Sequence, residues 1–105
     1  NADSVVCVRA LDTKCHPEKA LTIQNGRLSH YSQKGKDITA RQQLESLYAR
    51  NGVCYAITKN CLLHSNDIIT NKTRAFLVER HIVNIDEPID LKWAEFLLQS
   101  NFIKL

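Results

Sequence analysis

Residues 4–8 read Ser4-Val5-Val6-Cys7-Val8, a short and continuous apolar run that is rich in β-branched side chains. Such a run predicts a β-strand that is buried on both faces, as in the middle of an α/β sheet. Because this core strand stands at the start of the chain, we expect an unpaired sheet edge, which self-associates or is covered by a binding partner.

Outside this run, the sequence pattern predicts four more strands, at residues 20–23, 53–57, 73–78 and 81–85. Asn25-Gly26 follows the first of these strands and suits a hairpin turn. Residues 27–40 show no clear period and predict a long loop, a kind of segment that is usually functional in a compact domain.

Three helices are predicted, at residues 43–48, 60–64 and 88–100. The first would end at Asn51-Gly52, a pair that tolerates positive φ. The last has the clearest signal, because apolar side chains recur at helical spacing and Pro88 suits the first turn. Those apolar residues are Ile89, Trp93, Phe96 and Leu97. Strands interleaved with helices predict an α/β layer architecture.

The composition is that of one ordinary globular domain. The chain has 105 residues, of which 44% are hydrophobic and 24% are charged, and a domain of this size has a single modest core. Lys and Arg are scattered among Asp and Glu, so the net charge of +3 does not form the basic stripe of a nucleic-acid-binding protein. No apolar run approaches the ~20 residues of a membrane span, and Asn1-Ala2-Asp3-Ser4 does not begin a signal peptide, so we expect a cytoplasmic protein.

The cysteines do not form a recognisable metal site. The pairs Cys7 and Cys15, and Cys54 and Cys61, are more widely spaced than zinc ligands usually are. Cys7 and Cys54 lie in apolar runs, where a thiol behaves as a small hydrophobic group. We therefore expect reduced thiols, since disulfides would require an exported protein.

Asn84 and Asp86 stand where a predicted strand meets a predicted helix. Ligands of open α/β sheets bind at the carboxyl ends of strands. On a strand, these two residues would point to the same side with Cα atoms about 6.6 Å apart, close enough to share one metal ion. The alternative is that Asp86 caps the helix, a role that local sequence alone favours.

Two cations lie in segments without a clear period. These are Lys19, in His16-Pro17-Glu18-Lys19, and Arg41, in Arg41-Gln42-Gln43-Leu44. Exposed cations in loops are usually solvated and have no ligand. The alternative is a site for an anion, because a guanidinium offers a fork of donors and an ammonium acts as a point charge.

In combination, these segments resemble the C-terminal half of the acylneuraminate cytidylyltransferases, which make CMP-sialic acid and related compounds. The matching segments occur in the family's order and span essentially the whole chain. They are residues 3–8, Asp-Ser-Val-Val-Cys-Val; 16–19, His-Pro-Glu-Lys; 41–55, from Arg41-Gln42-Gln43-Leu44 through Tyr48 to Asn51-Gly52-Val53-Cys54-Tyr55; and 84–95, with Asn84-Ile85-Asp86, Asp90-Leu91 and Ala94-Glu95.

The resemblance implies a nucleotide-diphospho-sugar transferase fold, in which a Rossmann-like mixed sheet is flanked by helices. It also implies a reaction in which the anomeric hydroxyl of a sialic-acid-like nonulosonic acid attacks the α-phosphate of CTP, and pyrophosphate leaves with help from Mg²⁺. By position, Lys19 and Arg41 would shield the anions. The pocket for the sugar acid would be lined by Gln42, Asn51 and Tyr55. Asp86 would hold the metal ion or orient the attacking hydroxyl.

The sequence departs from the family pattern at two points. Asn84 stands where the family usually has the first Asp of Asp-x-Asp, which weakens a Mg²⁺ site because this ion prefers anionic oxygen ligands. The CTP-binding N-terminal half and its phosphate loop are also absent, since the only glycines are Gly26, Gly35 and Gly52.

From these departures we interpret residues 1–105 as a single domain, the sugar-acid-binding and dimerisation part of a cytidylyltransferase. We expect this chain to be inactive alone and to form a homodimer or to associate with an N-terminal half. The alternative is a non-catalytic sugar-acid-binding or dimerisation module derived from the same family.

Overall fold

The computed structural model describes residues 1–37 and 44–103. Its β-strands are β1 (Ser4–Ala10), β2 (Leu21–Gln24), β3 (Arg27–His30), β4 (Tyr48–Ile57) and β5 (Thr73–Leu77). The α-helices are α1 (Lys59–His64) and α2 (Pro88–Gln99), and short 3-10 helices cover Thr13–Cys15, Pro17–Lys19 and Lys34–Lys36. The chain divides into two compact units, unit 1 being Asn1–Val8 with Arg50–Leu105 and unit 2 being Arg9–Ala49.

The larger sheet has the strand order β4-β1-β5. β1 pairs with β5 in parallel, from Ser4 opposite Thr73 to Val8 opposite Leu77. The amide of Thr58, just after β4, donates to the carbonyl of Asp3, just before β1, at 2.9 Å, so β4 runs antiparallel to β1. The sheet is therefore mixed, as expected, and the predicted strand at residues 4–8 is confirmed.

Both neighbours of β1 come later in the chain, which explains how a core strand stands so near residue 1. β4 and β5 are the edge strands within the described ranges. The burial of β1 is less complete than the apolar run predicts. Ser4 and Val6 are buried, whereas Val5 and Cys7 are only half-buried.

A polar cluster fixes the register at the start of β1 and β5. The hydroxyls of Ser4 and Thr73 lie 2.7 Å apart, and both contact the carbonyl of Ile68. The Thr70 hydroxyl donates to the carboxylate of Asp3 at 3.0 Å. These polar groups thus satisfy one another where Ser4, a buried residue, enters the sheet.

The helix predicted at residues 43–48 does not form in its described part: residues 44–47 are irregular, residue 43 lies outside the described residues, and β4 begins at Tyr48. β4 extends the strand predicted at 53–57. Gly52 does have a positive φ, of 73°, but it lies inside β4 instead of ending a helix. A glycine with positive φ within a strand is typical of a β-bulge. The pattern at Asn51-Gly52 therefore indicated the correct backbone conformation but the wrong element.

The helices of unit 1 carry clear end signals. Thr58 caps α1, since its hydroxyl accepts the amide of Cys61 at 3.2 Å. After α2, Asn101 adopts positive φ (56°), and the amide of Phe102 donates to the carbonyl of Leu97 at 3.0 Å. These contacts form a Schellman motif, which ends the helix. The predicted helices at 60–64 and 88–100 are confirmed within one or two residues.

No strand forms at residues 81–85, so that prediction is wrong. The β-branched residues of His81-Ile82-Val83-Asn84-Ile85 suggest a strand, but the segment is irregular and leads directly into α2. The strand at 73–78 is confirmed as β5. The order of β4, β1 and β5 accounts for the whole larger sheet within the described residues.

The described part of unit 2, residues 9–37 and 44–49, contains a hairpin and three short 3-10 helices. β2 and β3 pair antiparallel, with Gln24 opposite Arg27, so Asn25 and Gly26 form the two-residue turn. Their φ angles of 50° and 75° are those of a type I′ turn, which Asn-Gly favours. The hairpin prediction is confirmed, and β3 occupies the first part of the segment that we predicted as a long loop.

Few apolar side chains are buried among the described residues. In unit 1 the buried ones are Val6, Cys61 and Leu97. Of the four α2 residues predicted to face a core, only Leu97 is buried, and Ile89, Trp93 and Phe96 are each at least half exposed, at 63%, 50% and 50%. The cysteines are unbonded, as expected, although only Cys61 is buried.

The chain is thus a small mixed α/β protein, as the sequence predicted at the level of class. Its Rossmann-like arrangement stays a prediction. Neither α1 nor α2, the α-helices of residues 1–37 and 44–103, has the length and apolar character that a membrane span needs.

Candidate functional site

Asn51 is the buried polar residue on which a candidate site in unit 1 depends. It lies in β4 and is 7% exposed. Its side-chain oxygen accepts the amide of Val53 at 3.2 Å, which supports the positive φ of the intervening Gly52. Its side-chain nitrogen Nδ2 is buried and has no hydrogen-bond partner in the described ranges. A buried donor without a partner is costly, by about 1–3 kcal/mol.

Asn84 lies beside this turn. A β-carbon built on Gly52 would be 3.5 Å from Nδ2 of Asn84 and 3.6 Å from its Oδ1. The irregular segment before α2 therefore brings the Asn84 amide against the backbone that follows Asn51. Two of the predicted site residues, 33 positions apart in sequence (84 − 51), thus come to one place in unit 1.

Asp86 is exposed and lies two residues before α2. The cap of this helix is made by other residues: Glu87 is the N-cap, and the carboxylate of Asp90 accepts the amides of Asp86 at 3.1 Å and Glu87 at 2.9 Å. The interpretation of Asp86 as the helix cap is therefore wrong. Because residues 81–85 form no strand, the argument that Asn84 and Asp86 point to one side also fails.

The remaining predicted site residues are placed as follows. Tyr55 lies in β4 and is 46% exposed. Lys19 ends the 3-10 helix Pro17–Lys19 in unit 2 and is exposed. Arg41 and Gln42 lie outside the described residues.

Within the described residues, no group of three or more His, Cys, Asp or Glu side chains could hold a metal ion. A site built from Asn84 and Asp86 has one carboxylate and one amide oxygen. Mg²⁺ in phosphoryl-transfer sites is often held by one or two carboxylates together with the phosphates of the substrate. Asp86 supplies one exposed carboxylate of the kind that such a site uses.

The chemistry of the Asn51 environment favours a ligand that accepts hydrogen bonds. An amide nitrogen carries two donors and no acceptor, and that of Asn51 is neutral and buried, with the Asn84 amide beside the next residue, Gly52. Carboxylate, hydroxyl or carbonyl oxygens of a polar ligand would each satisfy it. Sequence reasoning selected Asn51 only through the family resemblance, since an Asn before Gly otherwise indicates a turn.

The comparisons with known proteins add no identification. No protein-family model matches this chain, and no curated protein matches it significantly.

Proposed function

We propose that this chain is the sugar-acid-binding half of a cytoplasmic cytidylyltransferase that couples CTP to a sialic-acid-like nonulosonic acid. Support comes from the order of four family-like segments in the sequence. It also comes from the mixed α/β class, which is compatible with the mixed sheet of a Rossmann-like sugar-nucleotide transferase.

The observation that carries this proposal is the unpartnered Nδ2 of Asn51. Because Nδ2 is buried in the free chain, the proposed site opens locally when the sugar acid binds, and Nδ2 then donates to an oxygen of the ligand. Tyr55 borders the same part of β4. A buried donor in fixed geometry contributes specificity, because an analogue that lacks the matching acceptor leaves the donor unsatisfied. Gln42 completes the sugar-acid pocket in this proposal.

The proposed reaction joins two anions, so it requires positive charge. The anomeric hydroxyl forms a bond to the α-phosphorus of CTP, its proton is removed, and the bond to pyrophosphate breaks. Lys19 and Arg41 shield the phosphates and the sugar carboxylate, and Asp86 orients the hydroxyl or serves as the Mg²⁺ ligand, with Asn84 as a neutral oxygen neighbour. When bound, Mg²⁺ stabilises the negative charge of the phosphates.

The exposed apolar side chains support the need for a partner. Trp93 and Phe96 stack on each other with ring centroids 5.4 Å apart, yet both remain half exposed on α2. Apolar surfaces of this kind usually mark interfaces. In our proposal a nucleotide-binding half covers part of this surface and supplies the phosphate loop, and a second copy completes a dimer.

The proposal is tested by titrating the 105-residue chain with N-acetylneuraminic acid, as the representative nonulosonic acid, and separately with CTP in a calorimeter. We expect binding of the sugar acid and none of CTP. Pyrophosphate release is then measured after addition of a separately expressed nucleotide-binding half, CTP and Mg²⁺. Absence of sugar-acid binding in both the chain and the mixture would refute the proposed function.

The amide at position 84, where the family usually has Asp, supports the second candidate, a non-catalytic sugar-acid-binding or dimerisation module. Asn84 provides an amide where the family has a carboxylate, and an amide suits ligand binding better than binding of a hard cation. The two candidates differ in one result. A mixture that binds sugar acid but releases no pyrophosphate, even with Asn84→Asp, would favour the module.

A further inference from the structure

His16 is a buried titratable residue that the proposed reaction does not use. It is 5% exposed and lies in unit 2 at the start of the 3-10 helix Pro17–Lys19. Its ring bridges two parts of the chain. Nδ1 accepts the backbone amide of Glu18 at 3.1 Å, and Nε2 lies 3.0 Å from the carbonyl oxygen of Glu45.

These two contacts specify the protonation state of the ring. The amide of Glu18 is a donor, so Nδ1 must be an unprotonated acceptor, and the carbonyl of Glu45 is an acceptor, so Nε2 must carry the proton. Only the neutral Nε2–H tautomer satisfies both neighbours. An imidazolium carries a proton on each nitrogen, and its Nδ1–H would be directed at the amide proton of Glu18.

The ring has no carboxylate among its described hydrogen-bond partners, because both are backbone groups. The nearest acid in sequence, Glu18, accepts a hydrogen bond from the hydroxyl of Ser32. Gly35 of the neighbouring helix Lys34–Lys36 packs on the carbonyl of Glu18, since a β-carbon on Gly35 would be 2.2 Å from that oxygen. A β-carbon on Gly35 would also lie 3.6 Å from Nδ1 of His30, a second titratable ring at this contact. The titratable and charged side chains carried by the surrounding segments are Asp12, Lys14, Cys15, Glu18, Lys19, His30, Lys34, Lys36, Asp37 and Glu45.

From this geometry we propose that His16 is a proton-sensitive clasp that holds residues 44–47, the segment leading into β4, against the helix Pro17–Lys19. The neutral ring closes the clasp. Uptake of a proton breaks the contact with Glu18, because two donors then face each other. Since the imidazole ring is rigid, turning Nδ1 away from that amide also carries Nε2 off the carbonyl of Glu45, which releases the segment there. The clasp depends on the geometry of these two ring contacts. It does not depend on the proposed enzymatic function.

Two backbone amides in unit 2 report on the clasp. The amide of Glu18 is bonded to the ring itself. The amide of Leu11 donates to the carbonyl of Leu47 at 2.8 Å, and it reports whether residues 44–47 stay in place. In unit 1, the amide of Val78 donates to the carbonyl of Val8 at 2.9 Å and serves as an internal control.

The test is NMR spectroscopy of the ¹⁵N-labelled 105-residue chain between pH 8 and pH 5. The ring nitrogen signals should show the Nε2–H tautomer of His16 at high pH. As His16 takes up its proton, the hydrogen-exchange protection factors of Glu18 and Leu11, corrected for intrinsic rates, should fall at least tenfold, while that of Val78 is retained. An Nδ1–H tautomer, unchanged protection at Glu18 and Leu11, or equal loss at Val78 would overturn the proposal.

His16→Gln supplies the matched variant, because glutamine is polar and does not titrate. Its Glu18 and Leu11 amides should have protection factors that do not change with pH. His64→Gln is the control, since His64 is exposed and its Nδ1 contacts only the carbonyl of Asn60 within its own helix. A pH-dependent loss that persists in His16→Gln, or disappears in His64→Gln, would rule out the clasp.

Discussion

At the scale of single residues, Asn51 connects local structure to ligand binding, because the two ends of its amide have different roles. Its oxygen accepts the amide of Val53 and so supports the positive φ of Gly52, whereas its nitrogen has no partner in the described part of the chain. Asn51→Asp keeps the acceptor and removes the donor. We expect the affinity for N-acetylneuraminic acid to fall at least tenfold, about 1.4 kcal/mol.

Calorimetric titration of Asn51→Asp against the wild-type chain measures this loss. Asn71→Asp is the matched control, since Asn71 is exposed and the same change of charge is made away from the site. Equal affinities of all three proteins for N-acetylneuraminic acid would show that Asn51 is not part of the binding site.

Two glycines provide a test of packing in unit 2. A β-carbon on Gly35 would be 2.2 Å from the carbonyl oxygen of Glu18, whereas one on Gly26 would meet nothing within 4 Å. Gly26→Ala should lower the free energy of unfolding by about 1 kcal/mol, the cost of an alanine at positive φ. Gly35→Ala forces two backbone segments apart, and we expect it to lower the free energy of unfolding by about 2–3 kcal/mol. Urea unfolding of both variants measures the difference, and equal losses would contradict the close packing.

Substitutions at Asp86 and Asp90 distinguish a role in catalysis from a role in the stability of α2. The Asp90 carboxylate accepts two backbone amides ahead of α2, so Asp90→Ala should lower the free energy of unfolding by about 1 kcal/mol. Asp86→Asn should leave thermal unfolding unchanged. In the chain complemented with its nucleotide-binding half, Asp86→Asn should lower turnover at least 100-fold, about 2.7 kcal/mol in the barrier.

Thermal unfolding and pyrophosphate release are measured on the same preparations of both variants. Full turnover in Asp86→Asn would show that Asp86 is neither a metal ligand nor an orienting group. Asn caps a helix about as well as Asp, so Asp86→Ala tests the cap. A loss of stability in Asp86→Ala equal to that in Asp90→Ala would show that Asp86 does cap α2.

At the scale of secondary-structure elements, the β2–β3 hairpin has an apolar face that is exposed. Ile23 pairs with Leu28 across the hairpin, and these residues are 72% and 66% exposed. A two-stranded hairpin is only marginally stable without a packed face. If the homodimer of our proposal uses this face, Leu28→Lys should shift the dimer dissociation constant at least tenfold in sedimentation equilibrium.

The neighbouring residue gives the control for that experiment. Ser29 lies opposite Thr22 on the other face of the hairpin, so Ser29→Lys adds the same charge without removing apolar area. Its dissociation constant should match that of the wild-type chain. Identical behaviour of Leu28→Lys and Ser29→Lys would exclude this face from the dimer.

The elements that sequence predicted correctly are those with local signals. Asn25-Gly26 indicated the hairpin turn, and Pro88 together with the helical spacing of the apolar residues after it indicated α2. The failures lie where tertiary contacts determine structure. Residues 81–85 have strand-like composition but form no strand, and residues 44–47 are tied to His16, 29 positions away (45 − 16), which no local pattern shows. For the site, sequence alone found Asn84 from its place before the predicted helix and Asn51 only through the resemblance, and it gave no sign that both lie beside Gly52.

At the scale of the whole molecule, apolar exposure is the dominant feature. A stable domain of this size normally buries a larger set of large side chains than Val6 and Leu97. We therefore expect the isolated chain to bind an apolar dye strongly and to release no pyrophosphate from CTP, sugar acid and Mg²⁺. Addition of the nucleotide-binding half should suppress dye fluorescence at least fivefold and restore turnover.

Fluorescence titration and a pyrophosphate assay measure these two effects in one series. An unrelated soluble protein at the same concentration is the control for non-specific displacement of the dye. Weak dye binding by the chain alone would contradict the exposed apolar surface, and pyrophosphate release by the chain alone would contradict the need for a second half.

The position of β1 between two later strands has a consequence for folding during synthesis. Ser4 contacts Thr73, 69 residues further on, so β1 has no parallel partner until β5 has left the ribosome. Residues 9–37 can fold first, because the hairpin forms from neighbouring residues and local contacts form quickly. Until β4 has left the ribosome, the apolar strand Val5-Val6-Cys7-Val8 has neither of its two sheet neighbours in the nascent chain, which exposes it to chaperones and to aggregation.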